Sequence, residues 1–336
     1  MISLLLSGLL TLVSLNCENL FDCRHDSLKN DYEWLPEGSN RWTQTRYWHK
    51  LNNIGREILA CGEQWGEISV ENADFSVKNG QKSNENDPKT AWRLPDLVAL
   101  CEVENDSVLH DLTKRSLLRN ARYEYVMTDS PDLRGIDVAL LYSPFTFRLL
   151  SHHAIRIEPL KDMRPTRDIL YVSGQVVSGD TIHVFLVHAP SRSGGEHLTQ
   201  PHRLQVVNRL CEAIDSVFQL HKEAKILVAG DFNDYAENKS LRRIEESGLT
   251  EVSRHATGRN GALATYRFQG EWGSLDHIFA SPTMAEQLHE CYIFDAPFLL
   301  EEDETHGGVK PRRNFLGSRY LRGFSDHLPL VARFKL

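Results

Sequence analysis

The sequence predicts an α/β fold, a layered sandwich of β-sheet covered by outer helices. Three observations carry that reading. Apolar runs of strand length recur along most of the chain. Several of them are apolar at nearly every position, as strands buried on both faces are. Two longer segments instead carry an apolar stripe at helical spacing.

In chain order, "TLVSLN" (11–16) is the first strand. Residues 43–61 form a helix, because Tyr47, Leu51, Ile54 and Ile58 share one stripe and Gly62 supplies a stop. Residues 72–93, rich in Asn, Lys and Asp, read as an insertion loop between helix and strand, not as a domain boundary. Strands follow at 97–104, 123–128, 137–142, 169–177 and 181–189. A second helix spans 201–221, with Leu204, Val207, Leu210, Ile214 and Val217 on its apolar face. The remaining strands are 225–232, 275–281 and 330–336. No repeat or low-complexity linker interrupts this order, so one domain is expected over 11–336, preceded by a short apolar segment, 1–10.

The chain has 336 residues, 41% hydrophobic and 25% charged, a mix able to bury a core. A net charge of −8 argues against a protein that coats nucleic acid through bulk electrostatics, but it leaves room for an enzyme with a local basic patch. The six cysteines show no C-x-x-C spacing, so they read as reduced, and zinc ligation is not expected. "MISLLLSGLLTLVSL" is apolar like a signal core, yet no basic residue precedes it and no A-x-A site follows. It is also shorter than the ~20 residues of a membrane span. The expectation is a soluble monomer with no stable membrane span. Its compartment stays open: cytoplasmic, or exported with the remnant of a longer leader.

Nearly every apolar strand finishes in a carboxylate, an amide or a histidine. Asn16 and Glu18 follow the first, and Glu102 and Glu104 the second. "VHAPS" offers His188, while "GDFND" brings Asp231, Asn233 and Asp234. "LDH" brings Asp276 and His277, and "SDHLP" brings Asp326 and His327. Taken singly, Asn16 fits a turn cap, Glu102 a surface charge at a strand edge, "GDFND" an Asx-turn and His188 a satisfied half-buried imidazole. For Glu102 and Asp231 the functional reading is preferred, because the runs before them are apolar enough that each carboxylate starts at the edge of a core. A charge there needs a cation or a partner. Carboxylates with an amide oxygen and no thiolate suit a hard cation, Mg²⁺ or Mn²⁺. Such an ion can hold a phosphate oxygen, and nearby histidines can orient phosphate or move protons. With no phosphate-cradling glycine loop, the set favours phosphodiester hydrolysis.

The ordered motifs "SLNCENLFD", "LVALCEVEN", "RGIDVALLY", "VHAPSRSGG", "GDFND", "GSLDHIF" and "SDHLP" resemble the endonuclease/exonuclease/phosphatase superfamily, the pancreatic-DNase-like fold, over 11–336. The resemblance implies a four-layer α-β-β-α sandwich, two mixed sheets face to face with helices outside. It also implies a metal-dependent phosphodiester hydrolase, most readily a nuclease of endonuclease or exonuclease type. Position by position, it gives Glu102, Asn16 and Asp326 to the metal. Asp231 is to activate the nucleophile and Asn233 to hold phosphate. His188 and His327 are the catalytic histidines, with Asp276 orienting the second and Asp137 resembling the carboxylate that orients the first. Glu18 stands where some members have a metal-ligating Asp. In "GGVKPRRNFLGSRYLRG", Lys310, Arg312, Arg313, Arg319 and Arg322 form a basic cluster. Of these, Arg312, Arg313 and Arg322 are expected to bind substrate phosphates. The Trp-Cys-Asp-Arg-type signature of inositol polyphosphate phosphatases is absent, "WGSLDHIF" standing in its place, and past the N-terminus no apolar segment would hold a sphingomyelinase on a bilayer. The rival readings are a phosphatase or phosphodiesterase acting on a lipid or sugar-phosphate headgroup, and a non-catalytic module on the same fold.

Overall fold

The computed structural model describes residues 8–63 and 92–336. The expected insertion loop at 72–93, apart from its last two residues, and most of the 1–10 segment lie outside them. Among the described residues, two six-stranded sheets dominate. Neighbours in the first are, in order, β13 (Leu288–Ile293), β18 (Leu330–Lys335), β1 (Leu9–Leu20), β2 (Leu97–Val103), β4 (Asp137–Tyr142) and β3 (Glu124–Met127). In the second they are β5 (Phe147–Ile155), β6 (Ile169–Val176), β7 (Thr181–His188), β8 (Lys225–Asp231), β12 (Asp276–Ala280) and β9 (Thr250–Glu251). Three hairpins stand outside the sheets: β10–β11 (Tyr266–Phe268, Glu271–Gly273), β14–β15 (Leu300–Glu302, Val309–Pro311) and β16–β17 (Phe315–Leu316, Arg319–Tyr320). The helices are α1 (Gln44–Ala60), α2 (Asp106–His110), α3 (Glu196–Leu220), α4 (Lys239–Glu246) and α5 (Pro282–Ala285).

Each sheet is mixed, with one parallel pair, β1–β2 in the first and β7–β8 in the second. A parallel pair needs a crossover. Helix α1 lies in the chain between β1 and β2, and α3 lies between β7 and β8. Alternation along the strands then sorts the core. Val184 and Leu186 of β7, Leu227 and Ala229 of β8, and Ile278 and Ala280 of β12 pack in one core with the residues of the first sheet. Their alternates Phe185, Val187, Ile226, Val228 and Phe279 pack outward against Val207, Leu210 and Ile214 of α3 and Leu241 and Ile244 of α4. Burial on both faces explains why these strands are apolar throughout. The expected four-layer sandwich is the fold observed.

The differences have local causes. Strand β5 was not expected, because "FRLLSHHAI" is an exposed edge strand with little apolar alternation. Strand β13 and the eight-residue helix α4 are too mixed or too short to announce themselves. Helix α3 begins at Glu196 and not at 201; Pro201 is its sixth residue, past the turn whose N–H groups lack an acceptor, so the helix continues through it with one i→i−4 hydrogen bond missing.

Candidate active site

On the second sheet, His188 ends β7, Asp231 ends β8 and Asp276 begins β12. The register pairs His188 with Asp231 and Asp231 with Asp276, so the three stand in one row across neighbouring strands. Each continues the inward-facing set, after Leu186, after Ala229 and before Ile278, so the row faces the first sheet. Gly230 permits the close approach of β7: a Cβ there would lie 1.9 Å from the Val187 carbonyl oxygen, and its φ is +142°.

The first sheet answers with Asn16 and Glu102. Asn16 Nδ2 donates to Asp231 Oδ2 at 3.0 Å, tying the two sheets together. Glu102 reaches the cleft by a different device. Cys101 faces the second sheet, its Sγ 3.6 Å from the Val187 carbonyl, so strict alternation would send Glu102 to the opposite face. The ladder breaks here instead: Asn16 pairs with Cys101 and Leu20 with Val103, leaving 17–19 opposite Glu102 alone. The β2–β4 ladder breaks at the same point. Glu102 has φ +63°, Glu18 +48° and Asn19 +60°, left-handed conformations that are strained for non-glycine residues. The Asn19 N–H fixes the result by donating to Glu102 Oε2 at 2.8 Å. Asn233, also left-handed at φ +50°, donates its N–H to Asp231 Oδ1 at 2.8 Å and its Nδ2 to the Ala189 carbonyl at 3.1 Å.

Strand β18 starts at Leu330 opposite Ser14, which lays the preceding residues over the end of β1. Ser325 Oγ donates to the Asn16 carbonyl at 2.6 Å, and the His327 N–H donates to Ser325 Oγ at 3.1 Å. His327 Nδ1 then meets Asp276 Oδ2 at 2.7 Å. The surroundings push the two histidines in opposite directions. Burial works against the His327 imidazolium, but the Asp276, Asp231 and Asp326 carboxylates overrule it and hold its pKa well above the usual range. His188 is pushed well below that range by burial, with the Arg167, Arg134 and His327 charges adding to the effect. Burial pushes the Asp231 carboxyl up to about 7; His327 opposes that rise and Asp276 adds to it.

A hard cation fits this donor set. Glu102, Asp231, Asp326 and the Asn16 amide converge with Glu18 on one cleft of about 920 Å³, which no cysteine lines. Asp231, Asp276 and His327 carry ligand atoms within 4.8 Å of one another. Asp276 Oδ2 and His327 Nδ1 bind each other, and Asp276 Oδ1 is buried without a hydrogen-bond partner. The carboxylates of Glu102 and Asp231 approach His188 Nε2 to 3.8 and 3.7 Å respectively.

Other expected residues fall differently. Asp326 accepts from Arg313 Nη2 at 3.0 Å, so a guanidinium already meets its charge. Asp137 is buried at the end of β4 and binds Thr128 and Ser130, with its carboxyl pushed up to about 6 by burial. It makes no bond to His188, whose Nδ1 is buried without a partner. Arg313 lines the cleft; Arg312 and Arg322 do not. Burial and then the Arg322 and Arg312 charges lower the His49 imidazole, which puts both guanidiniums beside α1. Glu18 fastens the basic loop, its carboxylate accepting from the Asn314 N–H at 2.6 Å and the Phe315 N–H at 3.0 Å.

The sequence reading missed Arg134, Arg192, Tyr235, Tyr266 and Phe268, which all line the cleft. Arg134 was within reach, since it opens the "RGIDVALLY" motif. The aromatic residues sit on a short hairpin and a turn that no periodicity marks.

Two mixed sheets whose strand ends bring carboxylates, an amide and two histidines to one cleft define the hydrolytic phosphoesterase class. The chain belongs to the endonuclease/exonuclease/phosphatase family, whose model matches residues 11–75 and 86–335. A sequence comparison with curated proteins gives no match. Among solved structures, it is similar to an endonuclease/exonuclease/phosphatase family protein from Bacteroides thetaiotaomicron, at 15% identity and a TM-score of 0.60, covering 97% of each chain. It is also similar to a mannosyl-6-phosphatase from the same organism, at 15% identity and a TM-score of 0.59, covering 96% of this chain and 98% of that one. The human Nocturnin catalytic domain matches at 17% identity and a TM-score of 0.53, covering 98% and 95%. At such identities these likenesses show the fold alone. Among the described residues no helix is long and apolar enough to cross a membrane.

Proposed function

We propose that the chain is a Mg²⁺- or Mn²⁺-dependent phosphodiester hydrolase that cleaves a nucleic-acid backbone. The observation that carries this reading is the row His188–Asp231–Asp276, set in register on one sheet and faced by Asn16 and Glu102 from the other. A bound cation would be held by Glu102, with Asp231 and Asn16 beside it, and would supply charge neutralisation at a phosphate oxygen. Asp231 takes a proton from the attacking water as the new P–O bond forms. Burial raises its pKa, the direction a general base needs. Asn233 orients a phosphate oxygen. His327, cationic and held by Asp276, donates a hydrogen bond as negative charge grows on the phosphoryl group. The leaving P–O bond breaks, and the departing oxygen takes up a proton.

Arg134, Arg192 and Arg313 line the cleft beside its carboxylates and offer guanidinium charge to a substrate phosphate. The test is a panel of single-stranded and duplex DNA, RNA, a sugar 6-phosphate and an inositol phosphate, each with Mg²⁺, with Mn²⁺ and with chelator. The proposal expects metal-dependent cleavage of at least one nucleic acid, abolished by chelation. Turnover of the phosphomonoesters alone would replace it with the phosphatase reading.

A further inference from the structure

We propose that hairpin β10–β11 carries a stacking subsite in which Phe268 receives a nucleobase attached to the phosphate bound at His327. The inference rests on the phosphodiester reading of the cleft and adds what lies next to the phosphate. The hairpin pairs Tyr266 with Gly273, Arg267 with Trp272 and Phe268 with Glu271. Alternation sends Tyr266 and Phe268 to one face and Arg267 to the other. Tyr266 and Phe268 both line the cleft, whereas Arg267 donates away from it, to the Gly270, Gly307 and Val309 carbonyls.

The wall is anchored to the catalytic floor. Tyr266 bridges His327 through its backbone, and their ring centroids are 4.9 Å apart. Gly273, across from Tyr266, leaves its side-chain space to Tyr235: a Cβ there would lie 2.7 Å from Tyr235 Cε1. The Tyr235 ring in turn carries the Arg192 guanidinium 4.4 Å from its centroid. Tyr266 and Tyr235 are therefore covered, one by an imidazole and the other by a cation. Phe268 is not. It is 60% exposed, and among the described residues no ring or cation stacks on it.

Phe268 stands two residues from Tyr266 on the same face, ~6–7 Å outward along the strand. That is comparable to the reach from a phosphate to the base on the same sugar. A base laid on an aromatic ring needs only a π-face, so the contact is strong and tolerant of base identity. Arg267, the donor nearest in sequence on this strand, is committed to carbonyls on the far side and leaves the Phe268 face apolar.

The deciding experiment compares binding of a nucleoside 5′-monophosphate with binding of ribose 5-phosphate by calorimetry, for the intact chain, Phe268→Ala and Phe268→Trp. The same three proteins are assayed on a dinucleotide and on its analogue lacking one base. The intact chain should prefer the base-bearing ligand by roughly 5–150-fold, the span of one base–aromatic stack. Phe268→Ala should collapse that ratio toward one, and Phe268→Trp should restore it. An equal affinity of the intact chain for both ligands, or a preference that Phe268→Ala preserves, overturns the subsite. If neither dinucleotide is cleaved, the nuclease reading fails while the binding ratio still decides the subsite.

Discussion

At His327, burial and charge pull in opposite directions, and charge wins because three carboxylates face one imidazole. That outcome makes the Asp276–His327 pair a unit. His327→Ala should lower kcat by roughly 10²–10⁴-fold, the range of a positioned acid or base. Asp276→Asn should cost less, and the double variant should lose far less than the product of the two, as measured by steady-state kinetics with folding checked by thermal denaturation. Multiplicative losses would show that the two side chains act separately. The pair was legible only through the family resemblance of "GSLDHIF" and "SDHLP", since residue patterning alone does not say that these two distant motifs meet. Two other residues were not fully legible. The inward turn of Glu102 depends on a bulge and a left-handed backbone, which residue types do not encode. Asp137 has the right position in its motif, yet Thr128 and Ser130 take up its carboxylate.

At the scale of elements, α1 clasps the segment that leads into Asp326 and His327. Lys50 is fully buried and donates to the Phe324 carbonyl, and Asn53, one turn on, donates to the Gly323 carbonyl at 2.6 Å. Gly323 lies so close to the preceding loop that a Cβ would sit 2.1 Å from the Arg312 and Arg313 carbonyl oxygens. Lys50→Met should leave the Phe324 carbonyl unpaired and cost about 1–3 kcal/mol in chemical denaturation. Farther along α1, Glu57 is fully buried, both its oxygens lack a hydrogen-bond partner, and burial pushes its carboxyl up to about 8. An unfolded chain returns it to about 4.3. The folded state therefore keeps a proton that the unfolded state releases between those values. This contribution is fully present below about pH 4.3 and is lost as pH rises through about 8. Glu57→Gln should gain on the order of a few kcal/mol over the native chain at pH 8–9 and nothing near pH 4. Parallel stability–pH curves for the two proteins would contradict that assignment. Strands with two buried faces announced themselves through unbroken apolar runs, whereas the edge strand β5 and the short helix α4 bury too little to leave a pattern.

Over the whole molecule, a net charge of −8 coexists with a cleft whose walls carry Arg134, Arg192 and Arg313. The sequence marked the basic loop but not its geometry, since the loop's direction is set by Glu18 across the fold. Arg313→Ala should raise KM on a polymeric substrate and reduce its salt slope by about one unit. Arg312→Ala, on the α1 side, should leave that slope in place. The layering itself was readable, because it follows from which faces are apolar. The meeting of the two sheets at one cleft rests on the register of β7, β8 and β12. Asp231 stands in that cleft, hydrogen-bonded to Asn16 from the opposite sheet. The most direct test is therefore kcat for phosphodiester cleavage by Asp231→Asn at saturating Mg²⁺ or Mn²⁺. A fall of about 10²–10⁴-fold with unchanged folding is the predicted result, the range of a lost general base. Activity within a few-fold of the native chain would contradict the account.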